Sequence, residues 1–354
     1  MNAARLRFLP MMLPLLALCS ACATADLQPQ TAAMVWPAPP LTTRIRFERI
    51  LQGTDSFPRK SGLRERLLTA AGAPPERRGQ RLQTPLGVAV TRDGATVYAS
   101  DFTQGSIFVF HVSEQRVDVL PGFSGPIGLA LDSADNLYVA EQVRRGVTVL
   151  DAEHRPLRFL THESLERPTG VVLDEAHGKL YVVDSARASS LQHTVKVFAL
   201  ASGSLVGALG EAKGQQPGQF LFPTYAAVDA GGNVYVSDTV NGRVQKLSPE
   251  GKPIAVIGER GDAWGMFDKP KGVALDSNGN VYVVDSGWSN VQIFNPAGEV
   301  LLFFGGRGPL PGMLKNPGPI AIDGNGRIYV GDLLNQRVAV YQLVSAGAPD
   351  AGRS

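Results

Sequence analysis

The sequence predicts an all-β protein that folds as a β-propeller of six blades, and three observations support this. Six segments begin with a proline and continue as short apolar runs, such as Pro85-Leu-Gly-Val-Ala-Val. A tight turn and a strand centred on a tyrosine follow each run, and further alternating strands complete the unit. The unit recurs roughly every 40 to 55 residues, as propeller blades do. The six prolines are Pro85, Pro126, Pro168, Pro223, Pro270 and Pro317.

The order of the strands indicates how the ring closes. The first strand of each unit is an apolar run of small residues, which suits the crowded innermost position of a blade. The last unit ends at Gln342-Leu343 without an outer strand, and the alternating segment 44–51 near the start of the chain would supply it. Pairing the two ends in this way leaves no unpaired edge between the first and last blades.

Two phrases carry a family resemblance. They read Val-Tyr-Val-Ser-Asp238-Thr-Val-Asn-Gly-Arg243 and Ile-Tyr-Val-Gly-Asp332-Leu-Leu-Asn-Gln-Arg337, and each follows a Gly-x-Phe or Gly-x-Leu segment and a proline. These residues resemble the NHL repeat family, and the resemblance extends over residues 44–343. It implies that the six blades are of the NHL type.

The first residues are typical of an export signal. Two arginines precede an apolar stretch at 8–18, which is too short to span a bilayer as a stable helix. The stretch ends in Leu-Cys-Ser-Ala-Cys22, which resembles a bacterial lipobox. We therefore expect a lipoprotein signal peptide at 1–21 and a lipid on Cys22. An ordinary secretory signal cleaved within 23–25 is the alternative.

The rest of the chain divides into three parts. Residues 22–43 are rich in proline and alanine and predict an extended tether. The propeller follows at 44–343, with an insertion at 52–84, and residues 344–354 predict a disordered tail. The insertion has a helical spacing at 63–71 and a net positive charge, and we expect it on the same face as the glycine-rich loops. Its basic residues are Arg59, Lys60, Arg64, Arg66, Arg77, Arg78 and Arg81.

Charge and cysteine content limit the function. The chain has 34 basic and 32 acidic residues, and the signal peptide holds two of the basic ones. A neutral exported domain is a poor candidate for nucleic acid binding. Both cysteines, Cys19 and Cys22, lie in the signal region, which excludes an internal disulfide and cysteine–metal chemistry. Ala23 after Cys22 favours a periplasm-facing position on the outer membrane of the cell envelope.

An acidic residue stands three positions after each of the six tyrosines, and its role has two interpretations. The six acids would form a polar rim at one mouth of the channel, where a ligand amine or a divalent cation binds. Alternatively, each carboxylate accepts backbone N–H groups of the following turn, and the repetition favours this structural role. Arg243 and Arg337 would pair with the neighbouring acids. The six acids are Asp101, Glu141, Asp184, Asp238, Asp285 and Asp332.

Three aromatic residues depart from the repeat. Tyr225 stands where other units have glycine, and Trp288 follows a rim acid, so both are candidates for a recognition surface in the loops of one face. Trp264 is expected to pack between blades instead. Together with the six acids, Arg243 and Arg337, Tyr225 and Trp288 complete the candidate binding rim.

These features favour a non-catalytic binding module with no cofactor, which presents one loop face to a protein, peptide or glycan partner. The alternative is a metal-dependent hydrolase or lyase, similar to propeller lactonases, that acts at the channel mouth. The propeller lyase of peptide amidation binds zinc through three histidines from different blades, and zinc catalysis needs such convergence. Here the five histidines fall in the first three units, away from the inner strands, so no catalytic or metal-binding residue is assigned.

Overall fold

The structure is a computed structural model that describes residues 34–38, 40–57 and 79–344. Strands and turns make up these residues, apart from a single 3-10 turn at Leu333–Asn335. No helix within them is long and apolar enough to cross a membrane. The signal peptide at 1–21, Cys22, the helical spacing at 63–71 and the tail after residue 344 lie outside the described residues.

Six antiparallel sheets, five with four strands and one with five, confirm the predicted six-bladed propeller. Two strands precede the first blade, β1 (Val35–Trp36) and β2 (Ile45–Leu51). Blade 1 is β3 (Pro85–Val90), β4 (Thr96–Asp101), β5 (Ser106–His111) and β6 (Arg116–Pro121). Blade 2 is β7 (Pro126–Leu131), β8 (Leu137–Glu141), β9 (Gly146–Leu150) and β10 (Pro156–Thr161). Blade 3 is β11 (Pro168–Asp174), β12 (Lys179–Asp184), β13 (Thr194–Ala199) and β14 (Leu205–Leu209).

The other three blades repeat this order from the centre of the ring outwards. Blade 4 is β15 (Pro223–Val228), β16 (Val234–Asp238), β17 (Arg243–Leu247) and β18 (Pro253–Ile257). Blade 5 is β19 (Pro270–Leu275), β20 (Val281–Asp285), β21 (Asn290–Phe294) and β22 (Val300–Gly305). Blade 6 is β23 (Pro317–Ile322), β24 (Arg327–Asp332) and β25 (Arg337–Leu343), with β2 as its outer strand.

The ring closes as the sequence predicts. The innermost strands β3, β7, β11, β15, β19 and β23 contact one another in a closed circle. Strand β2 pairs antiparallel with β25, so that Ile45 lies opposite Leu343 and Leu51 lies opposite Val338. Both Ile45 and Leu51 are buried. The first and last parts of the propeller therefore form a single sheet.

The predicted tether at 22–43 is wrong at its C-terminal end. Strand β1 pairs with β2 and adds a fifth strand to blade 6. The Trp36 ring packs against Phe304 of blade 5 and Tyr341 of blade 6, with centroid separations of 6.0 and 5.8 Å. Burial of a large aromatic side chain lowers the free energy, and this explains why this part of a proline-rich segment packs on the propeller.

Two faces of the disk differ in their loops. The upper face carries the loops between the second and third strands of each blade and the connections from one blade to the next. The lower face carries the remaining tight turns. Connections into blades 3 to 6 each bury one apolar side chain between neighbouring blades, namely Leu165, Phe220, Phe267 and Leu314, and Leu82 is likewise buried ahead of blade 1.

The glycines of the inner strands allow neighbouring blades to approach closely. A Cβ atom on Gly87 would lie 1.8 Å from the carbonyl oxygen of Ile127 in the next blade. Such a separation is impossible for two non-bonded atoms, so any larger residue would push the blades apart. The repeated Pro-x-Gly pattern of the inner strands follows from this crowding.

Loss of the closing strand should destabilise the propeller. A variant truncated to begin at residue 58 loses β1 and β2, and with them the burial of Ile45 and Leu51. At about 1.5–3 kcal/mol for each buried side chain, the free energy of unfolding should fall by about 3–6 kcal/mol. Differential scanning calorimetry measures the change, and a chain that begins at Met34 is the control. Equal melting temperatures for the two truncated chains would contradict the closure.

Candidate functional site

The six acids that follow the tyrosines are buried and do not form an open rim. Each carboxylate accepts backbone N–H groups from the connection that leads into its own blade. Asp238 accepts from Leu221 at 2.7 Å, and Asp332 accepts from Lys315 at 2.7 Å. Asp285 accepts from Asp268 at 2.8 Å and also from the turn that follows it. The carboxylates thus fix the connections to the second strands, and those of Asp101, Asp184 and Asp285 also accept backbone N–H groups of the following turn, as the sequence suggested.

The two candidate arginines, Arg243 and Arg337, bind the buried acids and the same connections. Arg243 donates from Nε to Asp238 at 2.9 Å, and Arg337 donates from Nε to Asp332 at 2.8 Å. Arg337 uses its other nitrogens on three carbonyl oxygens of the connection before blade 6. Burial raises the pKa of Asp238 and Asp332, and the arginines and the N–H donors oppose this shift. These residues stabilise the upper face from inside and leave little for a ligand to bind.

Tyr225 lies in the central channel, not in a loop of the upper face. It belongs to β15, and its hydroxyl donates to the carbonyl oxygen of Leu86 at 2.6 Å. Since β15 and β3 stand on opposite sides of the ring, the side chain crosses the channel. A cavity of only about 50 Å³ remains around it. The tyrosine fits because inner strands across the channel carry glycine at the same level, including Gly87 and Gly128.

One charged residue at the upper mouth of the channel was not anticipated. Lys271 stands second in β19, where other inner strands have leucine, isoleucine, threonine or glycine. Its ammonium group lies 3.5 Å from the side-chain oxygen of Asn316. Burial lowers the pKa of Lys271. In the sequence, a lysine at a position that is uncharged in the other five units could have indicated this feature.

A series of exposed apolar side chains surrounds this mouth, which we call the upper apolar arc. Trp264 is 71% exposed and contacts Phe303 edge-on at 4.8 Å, so the expectation that it packs between blades is wrong. Trp288 is 43% exposed, and its indole N–H donates to the carbonyl oxygen of Gly261 at 3.1 Å. All members lie in loops or connections of the upper face: Val143, Leu191, Val240, Trp264, Trp288, Leu310 and Leu334.

The lower face differs sharply. Among the described residues, the connections and turns of this face expose a single large apolar side chain, Leu41 between β1 and β2. Its aspartates bind the turns that contain them, as Asp276 does by accepting from the backbone of Asn278 and Asn280 at 2.9 Å. The upper face is therefore the one with an unpartnered apolar surface.

Within the described ranges, no group of three or more histidine, cysteine, aspartate or glutamate side chains is placed to hold a metal ion. His193 is buried, and its Nδ1 accepts the backbone N–H of Phe222 at 2.8 Å. Burial lowers the pKa of His193, which favours the neutral ring. This histidine stabilises the connection before blade 4.

The basic insertion at 52–84 is described only at its two ends. Gly53 and Arg81 form an antiparallel bridge, and the Arg81 guanidinium pairs with Asp55. Both ends therefore meet on the upper face, beside the start of blade 1. The other basic residues of the insertion, from Arg59 to Arg78, lie outside the described residues.

Comparisons with known proteins agree with this architecture. The NHL repeat model matches residues 220–247 and 267–294, which lie in blades 4 and 5. Human NHL-repeat-containing protein 4 is 29% identical over 122 residues, which cover 33% of this chain and 92% of that protein. The chain is a six-bladed propeller that contains NHL repeats.

Solved structures share the fold of this NHL propeller at low identity. A Bacteroides thetaiotaomicron protein of unknown function has a TM-score of 0.61 and 21% identity, over 74% of this chain and 70% of that one. An auxiliary nutrient binding protein from the same organism gives 0.59 and 14%, over 76% and 71%. Virginiamycin B lyase from Staphylococcus aureus gives 0.53 and 11%, over 74% and 96%. These likenesses establish the fold of the NHL propeller and no shared activity.

The buried acids should matter for stability. Replacing Asp332 with alanine in the NHL propeller leaves the Arg337 charge buried without its partner. Breaking such a pair from one side costs about 3–5 kcal/mol. Urea unfolding at neutral pH measures the loss, and Asp262→Ala on the exposed part of the same face is the control. If the two variants unfold alike, Asp332 does not hold the connection.

Proposed function

We propose that this NHL propeller is a non-catalytic binding module that presents its upper face to a protein partner at the cell envelope. The observation that carries the proposal is the upper apolar arc. Exposed apolar side chains are normally scattered singly over a protein surface. A group of them on one face therefore indicates an interaction site. Here seven of them collect around one end of the channel, whereas the described connections and turns of the lower face expose only Leu41.

The loops that carry the arc are held in place. Arg260 donates to the carbonyl oxygen of Val240, and Arg307 donates to that of Gly287 at 2.7 Å, beside Trp288. A surface that is ordered before binding loses less conformational entropy when a partner docks. Arginine and tryptophan are also the residues that interfaces favour. The fixed loops therefore support recognition of a structured partner.

The composition of the arc favours a protein over a glycan. Five of its seven members are valine or leucine, which offer apolar surface and no hydrogen-bonding group. Sugar rings bind instead to flat aromatic faces flanked by hydrogen-bonding groups. The arc also extends over the loops of five blades, from Val143 in blade 2 to Leu334 in blade 6. A partner that covers it has the dimensions of a protein surface.

A hydrolase or lyase acting at the channel mouth remains the second candidate, because virginiamycin B lyase has the same fold. Two features weigh against it. The six acids already accept backbone N–H groups, and Tyr225 fills the channel below the mouth. Metal analysis of the purified protein separates the two candidates: about one tightly bound divalent ion per chain would favour the enzyme.

The location at the envelope rests on the sequence. A lipid on Cys22 would attach the propeller to a membrane through residues 23–33, and we propose the periplasmic side of the outer membrane. Met34, the first described residue, lies beside Gly312 in the connection between blades 5 and 6. The tether would thus join the propeller at the margin of its upper face.

The lipid anchor can be tested directly. Cells that produce the wild-type chain and take up a clickable fatty acid should yield a labelled protein, whereas Cys22→Ser should stay unlabelled because it has no acceptor thiol. In-gel fluorescence measures the difference. Equal labelling of the two chains would exclude Cys22 as the acylated residue.

Partner binding should depend on the arc. The double variant Trp264→Ser, Leu310→Ser changes two exposed side chains, so the melting temperature should stay within about 2 °C of the wild type. Crosslinking in cells followed by affinity recovery should give at least a tenfold loss of the partner protein, since interface anchors of this kind contribute more than about 1.4 kcal/mol.

The matched control is Val206→Ser, Ile254→Ser, which changes two exposed apolar residues on the outer strands β14 and β18. This control should recover the partner as the wild type does. Undiminished recovery by the arc variant would refute the proposed surface. Recovery of a polysaccharide in place of a protein would refute the proposed class of partner.

A further inference from the structure

A cleft opens on the side of the disk between blades 1 and 2. Its volume is about 540 Å³, which lies in the range of pockets for small molecules. The end of β6 and the residues that follow it form one wall, and β9 and β10 of blade 2 form the other. The cleft is separate from the channel and from the upper apolar arc.

The cleft exists because the connection between these two blades is short. Strand β6 ends at Pro121 and β7 begins at Pro126, which leaves four residues, whereas twelve separate β18 from β19. The other connections fill the space between blades with a fully buried side chain such as Phe267. Here Phe123 is only half-buried and lines the opening instead. The space that a buried apolar side chain fills between other blades is therefore left open between blades 1 and 2.

The walls are mostly apolar. Leu120 projects from blade 1, and Leu150, Leu157 and Phe159 project from blade 2. Leu157 is 55% exposed, so a ligand in the cleft would remove it from water. Burial of such surfaces supplies the main favourable free energy for binding a hydrocarbon group. The cleft is suited to the apolar part of a ligand.

A cation stands at the upper end of the cleft. The Arg144 guanidinium lies 3.9 Å from the centre of the Phe159 ring, and the side chain is 48% exposed. Its Nη1 is 3.2 Å from the Glu141 carboxylate and 3.4 Å from the Thr148 hydroxyl. Among the described residues its Nε and Nη2 have no acceptor, although a guanidinium offers five donors.

Arg144 differs in this respect from the arginines of the repeat. Arg337 donates from all three nitrogens, to Asp332 and to carbonyl oxygens of a long connection. The short connection before blade 2 supplies no such carbonyls to Arg144. Glu141, in turn, is already satisfied by the backbone N–H of Ser124 and by the Thr148 hydroxyl. A bound anion would accept hydrogen bonds from the unused nitrogens of Arg144, and Glu141, which already has its own donors, would compete little for them.

The other polar groups of the cleft do not favour a second charge on the ligand. At the lower end, His154 Nε2 lies 3.2 Å from the Tyr98 hydroxyl. Burial and, after it, the nearby His111 lower the pKa of His154, which favours the neutral ring. Arg158 donates to the carbonyl oxygens of Leu200 and Ala201 at 2.6 and 3.1 Å, and is engaged there. Arg158 keeps its charge but has both terminal nitrogens bound to carbonyl oxygens, so Arg144 is the better placed of the two arginines to bind an anion.

We propose that this cleft binds a small amphipathic monocarboxylate. The carboxylate pairs with the free nitrogens of Arg144, and the hydrocarbon part lies along Leu120, Leu150, Leu157 and Phe159. Guanidinium and carboxylate make a charge-assisted, two-point hydrogen bond that a neutral alcohol cannot reproduce. Strand β9 has five residues and is thus about 16 Å long, which accommodates an extended chain of about eight carbons. The site acts independently of the upper apolar arc.

Calorimetric titration of the mature chain with octanoate tests the site, with 1-octanol as the uncharged counterpart. The wild type should bind octanoate about tenfold more tightly than 1-octanol, or better, since a hydrogen bond to a charged group is worth at least one factor of ten. The variant Arg144→Gln retains a donor for Glu141 but should lose the preference for octanoate over 1-octanol. The affinity of this variant for 1-octanol should equal that of the wild type.

A second pair of variants keeps the test independent of Arg144. Leu157→Trp should fill the cleft and weaken both ligands about tenfold. Ile254→Trp is the matched control, because Leu157 and Ile254 each follow the proline that begins the outer strand of their blade. Melting curves establish that all four chains fold. The proposal is overturned if the wild type shows no saturable octanoate binding, or if Arg144→Gln or Leu157→Trp binds octanoate as the wild type does.

Discussion

The propeller depends on one recurring interaction, the hydrogen bonds between a buried carboxylate and the backbone of the connection that enters its blade. All six carboxylates are at most 1% exposed. A buried carboxylate without donors would cost several kcal/mol, and an unpaired connection would leave its N–H groups unsatisfied. Each contact removes both costs at once. It also fixes the position of the connection relative to the second strand, and with it the shape of the upper face.

The repeated residues stabilise the fold and are therefore not free to bind a ligand. Prolines and glycines form the inner ring, tyrosines and acids fix the turns and connections, and buried apolar side chains fill the space between blades. Features that differ between blades are therefore the ones free to bind something. They are the exposed members of the upper apolar arc, the insertion at 52–84 and the short connection between Pro121 and Pro126. Each departs from the repeat on the surface, where the change costs little stability.

Two aromatic residues illustrate the limits of reading a site from the repeat. Tyr225 and Trp264 both interrupt the pattern, and sequence alone suggested exposure for the first and packing for the second. The structure reverses both. Tyr225 enters the channel because glycines on the opposite strands leave room for its ring, and its hydroxyl finds an acceptor in Leu86. Trp264 stays exposed because Phe267, three residues later, already fills the space between the blades.

The sequence by itself determined the six blades, the inner ring and the closure by residues 44–51, because each depends on local patterns that repeat at fixed spacing. It also identified the acids and arginines and the turns that some of the acids bind, although not the connections between blades that all six acids hold. Only the tertiary structure decided that β1 docks on blade 6, that the channel is filled and that a cleft opens between blades 1 and 2. These features arise where side chains from distant segments compete for the same volume, and that competition is settled by packing, which no local pattern records.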